Sequence, residues 1–293
     1  TGRALKQLEG EPASWRATLL AENPAWGERM TWIALADAAG PLTDFYLLTA
    51  TDLMRDANDD IVSRPPERSL YLQVLGRTFL VSFTVTVLCV LLGFPVAYLV
   101  SNAPERVANL LLILVLLPFW TSLLVRSAAW IVLLQDQGIV NDILQALHVT
   151  SEPIRLIFNR TGVVVAMTHV LLPFVIMPMI ATMKSIPPTY LRAAISLGAH
   201  PAVAFVRVYL PQTVPGVAAG ALLVFIMALG YYVTPALVGG ADDQMLAYFI
   251  AFFTTSSANW GLAAALGVIL LSATMLLYVV YARIVGMGRV KLG

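Results

Sequence analysis

Five long apolar runs occupy most of the sequence after residue 77. Each has about the 20 residues that a helix needs to cross the hydrocarbon layer of a bilayer. Within that layer the backbone must satisfy its own hydrogen bonds, and a helix does so. The sequence therefore predicts an all-α, polytopic membrane helix bundle. Its five predicted spans are Thr78–Ser101, Val107–Val125, Thr161–Met183, Val217–Leu237 and Gly261–Ile284.

Charged residues are concentrated before the first predicted span. Residues 1–77 hold 19 of the 35 charged residues, and the rest of the chain is too apolar for a soluble domain, in which about a quarter of the residues are charged. We therefore expect an extramembrane segment at residues 1–70 and a transmembrane domain at residues 71–293. In the first part, helices are predicted at Ser14–Glu22 and Thr43–Ala57, with breaks at Asn23-Pro24 and Gly40-Pro41.

The distribution of Lys and Arg among the loops predicts the side of the membrane on which each loop lies. Loops 102–106 and 184–213 and the tail from residue 282 hold seven of these residues, whereas loops 135–160 and 239–259 hold two. Because positive charge in short loops favours the cytoplasm, the first group is predicted to be cytoplasmic and residues 1–70 periplasmic. A segment that starts outside requires a span before it, so we also expect one further span upstream.

Glycine or proline interrupts four of the five predicted spans. Broken helices would leave free backbone groups that face protein or a wet cavity, and the alternative is the ordinary kinking of membrane helices. The interruptions are Gly93/Pro95, Pro118, Pro173/Pro178 and Gly230/Pro235.

Residues 185–216 lie between the third and fourth predicted spans, and their pattern is that of two short helices rather than of a simple loop. Pro187 and Pro188 end the preceding helix, because proline cannot continue a helix interior. The segment is either a plain connector between spans or a docking element for another protein. The helices are predicted at Tyr190–Leu197 and Pro201–Leu210, with Thr189 as the first cap, Gly198 as the bend and Pro211 as the stop.

The residue spacing within this segment favours docking. Ala193-Ala194, Gly198, Val208 and Leu210-Pro211 resemble the EAA loop, the ATPase-docking element in permeases of binding-protein-dependent ABC importers. Arg192 stands where that motif has an acid. The docking residues that the resemblance implies are Arg192, Ala193, Ala194, Gly198, Ala199, Val208, Leu210 and Pro211.

Four further stretches resemble the permease subunit of spermidine/putrescine-type importers, so the likeness covers about residues 72–285. They are TVTVLCVLLGFPVAYLVS, LPFWTSLLVRSAAWIVLLQDQGIVN, VPGVAAGALLVFIMALGYYVTPALVGG and NWGLAAALGVILL. The resemblance implies a multi-pass subunit in the bacterial inner membrane that moves a small organic solute, such as a polyamine, a related cation or an opine. It also implies an ATP-binding subunit dimer, a second homologous permease chain that forms a heterodimer with this one, and a periplasmic substrate-binding protein.

The sequence shows no catalytic set. It has no Walker A loop that could cradle ATP phosphates, no His-Glu-x-x-His motif and no nucleophile elbow. A single cysteine, Cys89, lies in an apolar run and is expected to be buried, so no Cys/His metal cluster is expected. A net charge of +1 gives no nucleic-acid signature. We therefore expect a non-enzymatic chain without a cofactor, whose partner subunits bind ATP and Mg²⁺.

Six residues are candidates for a translocation path: Trp120, Arg126, Trp130, Tyr231, Tyr232 and Pro235. Aromatic faces attract cationic amines, although packing or lipid anchoring is an alternative role for each aromatic residue. Arg126 is expected to extend to the membrane interface, to face the cavity, or to pair with an acid such as Asp136. His169, inside the third span, is expected to be neutral and hydrogen-bonded to a neighbouring helix.

Two other functions remain open from the sequence. A membrane scaffold would use residues 185–216 only to bind a partner. A secondary transporter would show internal repeats and coupling-ion acids inside its spans, and the sequence shows neither.

Overall fold

The computed structural model describes residues 14–29, 31–32, 35, 43–56 and 58–285. These residues are mostly helical, with one small β-hairpin. The helices are α1 Trp15–Glu22, α2 Phe45–Ala50, α3 Tyr71–Asn102, α4 Glu105–Leu116, α5 Leu123–Leu134, α6 Ile139–Ala146, α7 Arg160–Ser185, α8 Pro188–Ser196, α9 Pro201–Ala204, α10 Leu210–Leu229, α11 Val233–Val238, α12 Leu246–Thr255 and α13 Trp260–Val285. The strands are β1 Leu53–Arg55 and β2 Ile61–Ser63.

Five helical stretches of the described chain are long and apolar enough to cross a membrane, which confirms the predicted polytopic bundle. The first, third and fifth predicted spans correspond to α3, α7 and α13. The bounds of α7 and α13 lie within two residues of the prediction. The stretches are Tyr71–Asn102, Leu123–Ala146, Arg160–Ser185, Pro201–Leu229 and Trp260–Arg283.

The centre of the bundle is formed by α3, α7 and α10, which pack against one another. Of the candidate spans, α7 is the most buried. Its side chains pack with those of both neighbours in one continuous apolar cluster. Fully buried members include Val85 and Cys89 of α3, Met167, Leu171, Val175 and Met179 of α7, and Val224 and Ala228 of α10.

Glycines let these three helices approach closely. Gly216 and Gly220 lie one turn apart on α10 and face α7. A Cβ atom at Gly220 would lie 2.8 Å from the carbonyl oxygen of Val175, and one at Gly93 of α3 would lie 2.9 Å from the Val175 side chain. Small residues at such contacts are how membrane helices associate where lipid supplies no hydrophobic driving force.

The predicted interruptions of α3 and α7 are not breaks. α3 continues through Gly93 and Pro95, and α7 continues through Pro173 and Pro178. Gly93 serves the contact with α7. In these two helices, Gly93, Pro95, Pro173 and Pro178 therefore do not break the helix, as expected for the ordinary glycine and proline residues of membrane helices.

The second predicted span, Val107–Val125, is wrong as a continuous helix. α4 ends at Leu116, a 3₁₀ turn occupies Leu117–Trp120, and α5 begins only after the extended residues Thr121 and Ser122. Pro118 has no amide hydrogen to continue the ladder of α4, but it fits the first turn of the 3₁₀ segment. The chain between loop 102–106 and the far side of the bundle thus consists of two short helices joined by a break.

The fourth predicted span, Val217–Leu237, is wrong at both ends. The helical stretch already begins at Pro201 and ends at Leu229, and a separate short helix, α11, follows Gly230. Pro211 does not end the helix. A wider π turn at Phe205–Tyr209 precedes Pro211 and accommodates the amide hydrogen that proline lacks. The break near Gly230 is therefore real, whereas the predicted stop at Pro211 is not.

Of the shorter predicted helices, Ser14–Glu22 is confirmed. α1 agrees with Ser14–Glu22, and Ser14 caps it by accepting a hydrogen bond from the amide of Ala17. α6 is amphipathic and packs on α5. α12 is apolar and packs on α13 and α3; the amide of Leu246 donates to Thr78 Oγ1 at 2.9 Å.

The predicted helix Thr43–Ala57 is wrong beyond Ala50. Asp52 adopts a left-handed backbone conformation with φ of 56°, which ends the helical course. β1 then pairs antiparallel with β2, with Met54 opposite Val62. Ala57 and the predicted break at Gly40-Pro41 lie outside the described residues.

An ion pair joins the hairpin to α2. Arg55 donates to Asp44 Oδ2 at 2.7 Å and contacts Asp59 at 3.1 Å. The guanidinium of Arg55, chiefly through this hydrogen bond, holds the pKa of Asp44 below its ordinary value. Tyr46 of α2 packs against Gly261 at the start of α13, where there is no room for a Cβ atom.

Candidate functional site

The segment 185–216 forms a bent pair of helices at one end of the bundle. α8 begins at Pro188, with Pro187 as its cap, and ends at Ser196. Gly198 has φ of 90°, a left-handed conformation that L-residues rarely adopt, and it makes the bend before α9. The predicted two helices and the bend are therefore present. The predicted cap, Thr189, is wrong because Pro188 already occupies the first helical position, for which its fixed φ is suited.

The bent pair exposes a set of large apolar side chains. Leu197, at the bend, is 89% exposed. The basic residues Lys184, Arg192 and Arg207, in or just before this segment, are exposed as well. An exposed apolar patch with a polar rim is typical of a surface that binds another protein. Its apolar members are Tyr190, Ile195, Leu197, Val203 and Val206.

The eight predicted docking residues divide into two groups. One group is exposed and the other is half-buried against neighbouring parts of the segment. Arg192, Ala193, Gly198 and Pro211 are exposed, and Ala194, Ala199, Val208 and Leu210 are half-buried. Tyr209, which the sequence did not single out, is buried and packs its ring on Tyr98 of α3 and on Phe205. The segment is thus fixed to the bundle by aromatic contacts.

A second site lies inside the bundle, where α5 meets α7 and α11. Ser127 of α5 and Thr234 of α11 are buried, and their hydroxyl oxygens lie 3.1 Å apart in a hydrogen bond. One turn further along α5, Trp130 Nε1 donates to His169 Nδ1 of α7 at 3.2 Å. The predicted hydrogen bond of His169 to a neighbouring helix is therefore confirmed. We call Arg126, Ser127, Trp130, His169, Tyr231 and Thr234 the polar cluster.

Arg126 belongs to the polar cluster and has no acidic partner in it. It precedes Ser127 on α5 and lies one turn before Trp130, so it borders the two hydrogen bonds that join α5 to α11 and α7. Its Nε atom is shielded from solvent and has no hydrogen-bond partner. The alternative in which Arg126 pairs with Asp136 is wrong, since no ion pair joins these two described residues.

His169, a member of the polar cluster, lies well inside the candidate span α7. His169 is nine residues from the start of the 26-residue helix α7, which places it about 14 Å along an axis of about 39 Å. Both breaks described above, at 117–122 and at 230–232, lie beside the cluster in sequence. Intramembrane polar groups next to broken helices commonly mark the path of a solute.

The structure brings together three of the six predicted path residues. Arg126, Trp130 and Tyr231 are members of the polar cluster. Tyr232 is exposed beside the break, and Pro235 is buried in α11. Trp120 is 91% exposed and lines a separate apolar hollow of about 220 Å³ with Ile113, Leu116 and Leu117. Ser127 and Thr234 were missed, because hydroxyl residues in apolar runs give no signal before their partners are known.

The described residues contain no group of three or more His, Cys, Asp or Glu side chains that could hold a metal ion. Cys89 is fully buried, and its Sγ atom contacts the carbonyl oxygen of Thr168 at 3.5 Å. Its prediction as a buried apolar residue is confirmed.

The sequence from residue 89 to 286 matches the family of binding-protein-dependent transport system inner membrane components. This chain belongs to that family. It is 33% identical to the spermidine/putrescine transport system permease protein PotB of Escherichia coli K12 over 214 residues, which are 73% of this chain and 78% of that protein. PotB of Haemophilus influenzae is 36% identical over 214 residues, which are 72% of this chain and 74% of that protein.

The fold agrees with this assignment. A chain in the crystal structure of a bacterial alginate ABC transporter, solved with an alginate pentasaccharide-bound periplasmic protein, has a TM-score of 0.56 to this one. The two are 18% identical, and the match covers 73% of this chain and 77% of that one. This permease is therefore the transmembrane subunit of an ABC importer and a multi-pass protein of the bacterial inner membrane. Neither a scaffold nor a secondary transporter describes a member of this family.

Proposed function

We propose that this permease docks an ATPase subunit through the segment 185–216. The observation that carries the proposal is the exposed helix–bend–helix pair, with Gly198 at φ of 90° and Leu197 at the bend 89% exposed. Five exposed apolar side chains on one such element need a partner surface to cover them. The exposed Arg192, in place of an acid, adds a positive charge that would attract an acidic residue of the ATPase.

The helical path from this segment into the bundle supports a mechanism. α9, the π turn and α10 form one helical stretch from Pro201 to Leu229, and α10 packs on α3 and α7. A movement of the ATPase subunits would therefore be transmitted along a continuous helix to the polar cluster. In the proposed cycle, ATP-driven closure of the ATPase dimer moves residues 188–211 and opens the path alternately outward and inward.

The other components of the complex belong to the same proposal. The partner ATPase subunits bind ATP and Mg²⁺ and carry out hydrolysis, so this chain has no catalytic role. A second, homologous permease chain completes the path, and a periplasmic binding protein delivers the solute. The alginate transporter, solved with a solute-bound periplasmic protein, supports the last point.

The proposed solute is a small organic molecule with amine groups, such as a polyamine, a related cation or an opine. The relatives named for spermidine and putrescine support this class. The aromatic faces of Trp130 and Tyr231 in the polar cluster suit an ammonium group through cation–π attraction.

A charge at the bend tests the docking surface. Leu197→Asp places a carboxylate in the middle of the exposed apolar patch, so we expect it to reduce co-purification of the ATPase subunit by about tenfold or more, as for a central interface residue. The measurement is the amount of ATPase recovered with this chain from detergent-solubilised membranes. Ile61→Asp, at an exposed isoleucine of the β-hairpin, is the control. Equal ATPase recovery with Leu197→Asp and Ile61→Asp would contradict the docking proposal.

The bend itself provides a second test. Gly198→Val forces a β-branched residue into a left-handed conformation at a cost of about 1–2 kcal/mol or more, although nothing lies within 4 Å of the new Cβ atom. The strain is relieved by changing the angle between α8 and α9, so ATPase co-purification and solute uptake should both fall. Gly76→Val is the matched control, because Gly76 is helical and equally unobstructed. Wild-type co-purification and uptake with Gly198→Val would argue against docking through this geometry.

A further inference from the structure

Arg126 is a half-buried cation without a counter-ion in the described part of the chain. Its Nε atom is shielded and has no hydrogen-bond partner, and none of the salt bridges among the described residues includes Arg126. An arginine within a membrane span is costly unless an anion or other polar groups compensate its charge. Extension of the side chain to the interface does not relieve this cost fully, because the Nε atom remains out of solvent.

Among the described residues, no acid forms a salt bridge with Arg126. Within the five candidate spans the only Asp or Glu residues are Asp136 and Asp142, which follow the end of α5 at Leu134. Asp243 is already paired with Arg160 at 3.3 Å. The charge that the protein presents in the polar cluster is therefore positive. A solute that carries only ammonium groups would find aromatic faces there but no complementary charge.

The local backbone adds to the preference for an anion. α5 starts at Leu123 within the break, and no side chain caps it. The free amides of its first turn and the positive end of its dipole lie within one turn of Arg126. The neighbouring groups are hydroxyl and aromatic side chains, so a planar acid group could be held by the guanidinium without a competing negative charge.

Resting on the proposed import function, we propose that Arg126 binds a carboxylate of the transported solute during translocation. The solute class is then an amine that also carries an acid group, like an amino acid or an opine, rather than a simple polyamine. The aromatic side chains of Trp130 and Tyr231 contact its amine-bearing part, and Arg126 positions its acid group at the break between α10 and α11. Arg126 thus acts as a specificity-determining residue.

The experiment uses the whole complex, with its ATPase subunits, second permease chain and binding protein, reconstituted in liposomes. The solute that the purified binding protein releases on denaturation is identified by mass spectrometry, and its ATP-driven uptake is measured. Ornithine and putrescine, which differ only by one carboxylate, are used as competing solutes. We expect the released solute to carry an acid group and ornithine to compete more strongly than putrescine.

Variants of Arg126 then separate charge from structure. Arg126→Gln should lower uptake of the released solute by about tenfold or more, as for the loss of a charge-assisted hydrogen bond. It should also abolish the preference for ornithine over putrescine. Arg126→Lys, which keeps the charge, should retain more uptake than Arg126→Gln. Arg106→Gln, at the exposed start of α4, is the control for loss of a positive charge.

Each contrary outcome has a distinct meaning. Transport of a released solute that has no acid group, or unchanged uptake with Arg126→Gln, would overturn the role of Arg126 and leave the import function intact. If the second permease chain is lost from the Arg126→Gln complex to the same extent as uptake falls, the anion that pairs with Arg126 belongs to that chain. This outcome would also overturn the role of Arg126 in solute binding. Absence of any ATP-driven uptake by the wild-type complex would instead contradict the proposed function.

Discussion

At the scale of single residues, Asp52 links the chain before β1 to the start of α3, the first candidate span. Its carboxylate accepts hydrogen bonds from the amides of Leu70, Tyr71 and Leu72 at 3.0, 3.1 and 2.8 Å. These amides open α3 and have no partners within the helix. Asp52 therefore acts as a cap supplied from a distant part of the chain, and it is buried as that role requires.

Removal of this cap should destabilise the permease measurably. We expect Asp52→Ala to lower the free energy of unfolding by roughly 1–2 kcal/mol, the usual effect of losing a helix cap. Cys89, the single cysteine of the sequence, is buried in α3, so its labelling by a thiol-reactive dye during heating reports unfolding. Asp60→Ala, at an exposed acid of the same hairpin, is the control. Identical labelling curves for the two variants would show that Asp52 is not a stabilising cap.

Residues also show where prediction from the sequence reached its limit. Arg126 and Trp130 are four positions apart, so a helix places them on one face, and the sequence could nominate both. Ser127, Thr234 and the conformation of Asp52 depend on partners that are far away in the chain. No local pattern reveals such partners. The role of Gly198 as the bend could be predicted, because it lies between one helical pattern and the Pro201 that begins the next helix.

At the scale of elements, the same residue type has different effects in different helices. Pro95, Pro173 and Pro178 lie within intact helices, whereas Pro118 and Gly230 accompany breaks. α3 and α7 are packed against each other in the core and tolerate proline there, since their neighbours fix their course. α4 has one buried residue, Ala108, and packs on the core only through its partly buried Leu111, Leu112 and Val115. The sequence could thus locate α3, α7 and α13, but not the breaks that change the course of the second and fourth predicted spans.

The contact between α10 and α7 gives the prediction at this scale. Gly220→Leu would drive a side chain into the backbone of Val175, so we expect the helices to separate and the permease to lose about 3 kcal/mol of stability or more. The labelling of Cys89 should shift to a clearly lower temperature. Gly267→Leu in α13, where nothing lies within 4 Å, should leave the labelling temperature nearly unchanged. Equal temperatures for both variants would refute the close packing of α10 on α7.

At the scale of the whole molecule, one helical path joins the two sites. The exposed segment 185–216 continues into α10, which crosses the core to the break beside the polar cluster. The sequence predicted the family, the all-α bundle and the bent pair because each rests on local patterns. The assembly of the polar cluster from three helices required the tertiary structure. Which loops face the cytoplasm stays a prediction from the distribution of positive charge.

The most direct test of this account is ATP hydrolysis by the complex that co-purifies with this chain from native membranes, measured in lipid nanodiscs with and without its binding protein. The account predicts a stoichiometric ATPase subunit and a rate of hydrolysis that the solute-loaded binding protein increases. Purification of the chain without an ATPase subunit, or hydrolysis that does not respond to the binding protein, would contradict it.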